Sequence, residues 1–264
     1  MFLEQRGIVQ WEQVTRERIA DHVCVMRDTY GYRPTTIARK LAAYKSFFRH
    51  LRQKGIMSED VVGHVETPHV EKEPPQFLTL EQIQHLFEQV DTTTLAGLRD
   101  MAMLHLLSAT GMRTSEIVSL NLNDICLQEE GEESVVYVGR VHDEQAEHAG
   151  RERTLPLTAT VVDALSHYIR DGRPRLARTP VEQSLFLNHH GERLTRQGFW
   201  LIIKGYARAA HVEALTPHML RHSFAMLMLQ EGKELRSVQE LLGHAHISTT
   251  QVYNQFAHIG GRDL

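Results

Sequence analysis

Most of the chain carries apolar residues at helical spacing, and only a short middle section alternates as strands do. Ile19, Val23 and Met26 recur three and four residues apart behind Thr15, which predicts a capped amphipathic helix that stops near Gly31. Pro34 opens a second helix through Ile37, Leu41, Tyr44, Phe47, Phe48 and Leu51, closed by Gly55. Residues 67–77, TPHVEKEPPQF, hold three prolines and no period, so they read as a linker between two domains, 1–66 and 78–264. Thr79 with Gln82 makes a capping box for the next helix, and a long apolar run from Thr94 to Thr110 ends at Gly111. After Leu120 the period shortens: Ser134–Val138 and Arg153–Leu157 read as strands joined by the loop 139–151, and Phe186–Leu187 as a short strand or extended piece. Thr158 begins a helix to about Arg170, and Thr195 caps one carrying Phe199, Trp200, Ile203 and Tyr206. The expected fold is mainly α with a small three-stranded antiparallel sheet, in two domains.

The last fifty residues carry the densest chemistry. Thr216 and Pro217 start a helix with Met219, Leu220, Phe224, Leu227 and Met228 inward, and Gly232 stops it. His218, Arg221 and His222 stand three or four residues apart, so they project from one face of its first turn. A shorter helix (Leu235, Val238, Leu241, Leu242) ends at Gly243–His244, and Ser248 caps a last one carrying Tyr253. Arg113 lies between Gly111 and the next helix start, where a cation does not complement the helix dipole. That position hints at another use. Together these residues suggest phosphoryl transfer to a tyrosine. A phenol with a pKa of about 10 needs a base to become a nucleophile, and arginine forks can neutralise a phosphodiester bidentately without a metal. His218 and His222 could instead be a metal pair, but no third ligand lies nearby and Arg221 between them would repel a cation, so no metal or cofactor is expected. Taken singly, His244 would be a helix-terminal residue and Tyr253 a packing residue.

Charge weighs on this picture from both sides. The net charge of −4 argues against a generic nucleic-acid binder. Residues 1–57, however, hold 11 Lys and Arg against 5 Asp and Glu. The acid is concentrated in stretches such as Glu129, Glu130, Glu132 and Glu133, which read as a solvated turn. Arg39, Lys40, Lys45, Arg49 and Arg52 mark the polar face of the second helix, as a solvated surface or as phosphate contacts. Cys24 and Cys126 suggest no disulfide framework, and there is neither a membrane-spanning run nor a signal segment at Met1. A cytoplasmic location is the simplest expectation.

HMLRH (218–222) resembles the His-x-x-Arg box of the tyrosine recombinases, the phage-type integrases, and LLGHAHISTTQVY (241–253) their Leu-Gly-His box with a tyrosine nine residues after the histidine. The wording is closest to the bacterial Xer-type members. GMRTSEI (111–117) resembles the stretch with the first catalytic arginine, Glu116 being the acid that orients structure beside Arg113. YRPTTIARKLAAYKSFFRHLRQKG (32–55) resembles part of the small helical domain that clamps DNA opposite the catalytic domain. The resemblance implies site-specific cleavage and rejoining of double-stranded DNA. Tyr253 would attack the scissile phosphate to leave a 3′-phosphotyrosine, with Arg113 and Arg221 on the non-bridging oxygens. His218 would take the phenolic proton, and His244 would donate a hydrogen bond to the phosphate. It further implies four protomers on two DNA sites, alone or with a second recombinase. Two departures stand out. Of the family's usual first helix only Phe2–Gly7 remains, and no lysine occurs between Lys72 and Lys204, where relatives carry a general acid in the hairpin loop. Arg140 takes that place, with His142 two residues on. Two other readings are a type IB topoisomerase, which only relaxes supercoils, and a DNA-binding relative without catalysis.

Overall fold

The computed structural model describes residues 7–69, 76–128, 132–140, 152–212 and 214–243. The chain divides into two compact units, Met1–Pro74 and Pro75–Leu264.

The first unit is helical. In α1 (Arg16–Cys24) the Thr15 hydroxyl accepts from the Arg18 backbone N–H, capping the helix where its polar-to-apolar pattern begins. The helix does not run straight to Gly31. It widens into a π-turn, Val25–Thr29, in which Tyr30 N–H donates to the Val25 carbonyl five residues back. α2 (Pro34–Gln53) buries Ile37, Leu41, Phe48 and Leu51 against Ile19 and Met26 of that segment and against Val61 and Val62. The five cations of α2 do not form one stripe. At about 100° per residue, Arg39 lies opposite the buried face and Arg49 about 120° round from it, and both are exposed. The other three flank it: the Lys40 ammonium sits over the Tyr32 ring, Lys45 donates to the Thr67 hydroxyl, and Arg52 lies 3.5 Å from Asp60.

The second unit is built around α4 (Leu95–Thr110), apolar on every side and buried accordingly. It packs against α6 (Ala159–His167) and α9 (Pro217–Gln230), with α3 (Leu80–Glu88), α5 (Thr114–Ser119) and α8 (Arg196–Ala209) around the same core. The capping box at Thr79 forms as the spacing predicts, each partner accepting from the other's backbone N–H. Even the polar residues inside α4 are paired: Arg99 holds Asp100 and donates to the Leu187 carbonyl, and the Tyr206 hydroxyl donates to Asp100.

The sheet is antiparallel, in the order β1 (Ile125–Cys126), β2 (Val135–Val138), β3 (Arg153–Pro156). Its register puts Val136 opposite Ile125 on one side and Leu155 on the other, so Val136, Val138 and Leu155 face the core. Phe186 and Leu187 are buried but lie outside the sheet, with a single bridge from Leu187 to Arg193. α6 runs on through a second π-turn, Tyr168–Gly172, into α7 (Arg173–Leu176). α10 (Leu235–Leu242) closes a small apolar cluster with Phe224, Ala225 and Met226 of α9, against which Phe77 packs. Leu78 N–H donates to the Ser223 hydroxyl at 2.7 Å, fixing the start of this unit to α9.

Candidate active site

The site is built from helix ends and the start of one strand. Gly111 ends α4 in the left-handed conformation, φ 59°, and a Cβ there would collide with the Phe224 ring and Leu242. That sharp stop sets Arg113 two residues on, as the residue preceding α5 and not on its face. Glu116, one turn into α5, accepts from the Arg113 backbone N–H at 2.7 Å and from its Nη1 at 3.0 Å. Arg221 comes from the first turn of α9 and is 4% exposed. It donates through Nη1 to the Gly111 carbonyl and through Nη2 to the Leu242 carbonyl.

The two arginines therefore meet at the C-terminal end of α10. Arg113 Nη2 donates to the Gly243 carbonyl at 2.9 Å, next to the Leu242 carbonyl that Arg221 holds. The last carbonyls of a helix have no partner within it and carry the negative end of its dipole, so guanidinium groups satisfy both demands. A third arginine, absent from the sequence-level expectations, completes the set. Arg153, the first residue of β3, donates Nε to the Leu241 carbonyl at 2.8 Å and its two Nη atoms to the two Glu116 oxygens at 2.9 and 3.0 Å. Burial alone would raise the Glu116 carboxyl, but the hydrogen bonds and charge of Arg153, then those of Arg113, outweigh it and hold its pKa below the usual value.

His218 is exposed at the start of α9 and lines a groove with Thr114, Thr195, Arg196, Gln197, Trp200, Thr216 and Pro217. These residues belong to the N-terminal ends of α5, α8 and α9, where backbone N–H groups and the positive dipole ends favour anions. Arg196, Gln197 and Trp200 did not stand out in the sequence. The available signal was their place in the first turn of a helix capped by Thr195. His222 lies inward of His218, ring centroids 6.5 Å apart, and burial followed by the nearby His218 and Arg221 charges lowers its pKa. Among the described residues no cluster of three His, Cys, Asp or Glu side chains could hold a metal ion. Tyr206 is occupied elsewhere, since burial and then the Asp100 carboxylate it binds push its pKa upward.

Arg140 is held on its own hairpin, its guanidinium 3.5 Å over the Tyr137 ring and its Nε 3.7 Å from the Glu152 carboxylate. His142, His244 and Tyr253 lie outside the described residues.

A phage integrase family model matches residues 76–258, and a phage integrase N-terminal SAM-like domain model matches residues 1–55. The chain belongs to the phage integrase family. Among the relatives of this integrase are a tyrosine recombinase XerC of Roseiflexus castenholzii, 43% identical over 97% of this chain and 79% of that one, and a tyrosine recombinase XerD of Listeria innocua, 42% identical over 89% and 76%. The fold is that of XerH site-specific recombinase in a post-cleavage complex with its difH substrate (TM-score 0.73, 20% identity, 95% of this chain and 72% of that chain). It is also that of the Tn1549 transposon integrase in complex with circular intermediate DNA (TM-score 0.73, 20% identity, 95% and 85%). Among its described residues this integrase has no helix long and apolar enough to cross a membrane.

Proposed function

We propose that this integrase cleaves and rejoins double-stranded DNA at a specific site, with Tyr253 as nucleophile. The observation that carries the reading is the convergence of Arg113 and Arg221 on the Gly243 and Leu242 carbonyls at the end of α10, Gly243 lying one residue before His244 and ten before Tyr253. The groove of helix N-termini beside His218 supports a DNA backbone lying there, since it offers oriented N–H groups to phosphate. In the proposed step the Tyr253 oxygen bonds to phosphorus, its proton passes to His218, and the P–O5′ bond breaks with the 5′-oxygen leaving as an alkoxide that takes its proton from water. Arg113, Arg221 and His244 bear the charge on the non-bridging oxygens. Arg140 stabilises the departing oxygen by charge, because a guanidinium with a pKa above about 12 is a poor proton donor. The phosphotyrosine conserves the phosphodiester, so reversal on another 5′-hydroxyl rejoins the strand without a nucleotide cofactor.

Around this centre we place residues 1–66 as the DNA-clamping domain, 67–77 as linker and 78–264 as the catalytic domain. On the clamp, Arg39 and Arg49 are the best oriented for phosphates; Lys40, Lys45 and Arg52 join them if DNA displaces their present partners. Four protomers on two sites, in the cytoplasm, complete the proposal.

The test is a duplex nicked near its cleavage site, on which the cut strand fragment diffuses away and the adduct accumulates. Wild-type protein should form a protein–DNA adduct that survives denaturation and forms in EDTA, and Tyr253→Phe should form none while binding DNA as before. Adduct from the Phe variant would assign the chemistry to another tyrosine. Binding without an adduct by the wild type would favour the non-catalytic reading, and relaxation without exchange between two sites the topoisomerase.

A further inference from the structure

Arg153 is the feature the proposed chemistry does not use. It is a charged residue at the start of a strand, on the same face as the buried Leu155, with its side chain 9% exposed. Its three nitrogens make three bonds in one plane, two of them the parallel fork to Glu116. Arg113 hangs from the same carboxylate but is far more open, its side chain 40% exposed against 12% for Glu116. The buried pair is the fixed part and Arg113 the presented part. A second observation ties Arg153 to the end of α10. Gly243 has φ 63°, and a Cβ built on it would lie 2.9 Å from Arg153 Nη1 and 3.1 Å from its Cζ. The guanidinium thus lies against a glycine, where any Cβ would press on Nη1 and the residue bearing it would also have to adopt a positive φ.

We propose that Arg153 is a positioning residue for cleavage: it fixes Glu116, and through it Arg113, while holding the end of α10 from which the chain continues to His244. The inference rests on the reading of Arg113 as a phosphate ligand. It also links the β2–β3 hairpin, which bears Arg140, to the α10 end, so the two sides of the scissile phosphate share one brace.

The experiment uses the full chain. Arg153→Lys keeps a cation beside Glu116 but cannot reach both carboxylate oxygens and the Leu241 carbonyl, so it separates charge from geometry. Arg153→Gln, paired with Glu116→Gln, removes the buried charges together and covers the case in which the lysine variant is unfolded. On saturating nicked duplex we expect Arg153→Lys to slow adduct formation by about 10²-fold, the scale of a small misplacement of a catalytic group, with DNA affinity changed less than about threefold. In an Arg113→Lys background the same substitution should cost at least about tenfold less than in the wild type, since the part acting through Arg113 is already lost and only the hold on the α10 end remains. Equal losses in both backgrounds, or no loss, overturn the proposal. A second measurement needs no chemistry: in 15N-arginine-labelled free protein the Arg113 guanidinium should give resolved Nη signals, and these should collapse in Arg153→Lys. An unchanged Arg113 signal overturns the positioning role. If wild-type protein forms no adduct, the strand-transfer reading fails while this measurement still decides the brace.

Discussion

Replacing Arg221 by lysine should damage both fold and chemistry, and the structure gives each a size. The guanidinium is buried and bridges two helix ends, giving Nη1 to the Gly111 carbonyl and Nη2 to the Leu242 carbonyl at 2.6 Å. A lysine ammonium, a single donor centre, cannot serve both carbonyls and a phosphate. One buried carbonyl loses a charge-assisted bond, which costs about 1.5–3 kcal/mol. For a unit of this size that lowers Tm by roughly 3–12 °C. Loss of one oriented donor to the transition state costs a further factor of about 10²–10³ in cleavage. Thermal unfolding followed by circular dichroism measures the first effect. Single-turnover adduct formation on the nicked duplex, at a temperature well below both transitions, measures the second. A lysine variant that cleaves at the wild-type rate would refute the phosphate role of Arg221, and an unchanged Tm would refute its capping role.

The remaining predictions concern the two sides of the site. Arg140→Ala should cripple cleavage of ordinary DNA and be largely rescued on a substrate with sulfur at the 5′-bridging position, because a thiolate leaves without help; equal loss on both removes Arg140 from the mechanism. Glu116 has a folded pKa below its ordinary value, so its stabilising contribution is present above about pH 4.5 and is lost as pH falls through the lowered value. Tm of the wild type should therefore drop more steeply between about pH 5 and pH 3 than that of Glu116→Gln, and parallel curves would contradict the depressed pKa.

Much of this architecture could be read from the residues, for local reasons. The caps at Thr15, Thr79, Thr94, Thr195 and Thr216 all accept backbone N–H bonds, because hydroxyl residues at those places have an orphan donor within reach. β2 and β3 showed through their alternation. β1 did not, since two residues carry no period, and Phe186–Leu187 looked like a strand because it is apolar and short. The two π-turns stayed hidden because one extra residue in a turn barely disturbs an apolar pattern. At the site, the motifs gave Arg113, His218 and Arg221, but Arg153 needed the fold. Its signal was present all the same: Arg153, Leu155 and Leu157 share strand parity, and a charge on the inward face of a strand implies a buried partner. The contacts of Lys40, Lys45 and Arg52 depend on Tyr32, Thr67 and Asp60, which no helical wheel contains.

The attachment of Leu78 to Ser223 has a mechanical side. Where the second unit begins, its first described residues are tied to one helix. Phe77 packs against the cluster that includes Phe224, and Leu78 is bonded to a hydroxyl two residues along the helix from Arg221. The segment that opens the second unit is thus fastened to the same helix that carries Arg221.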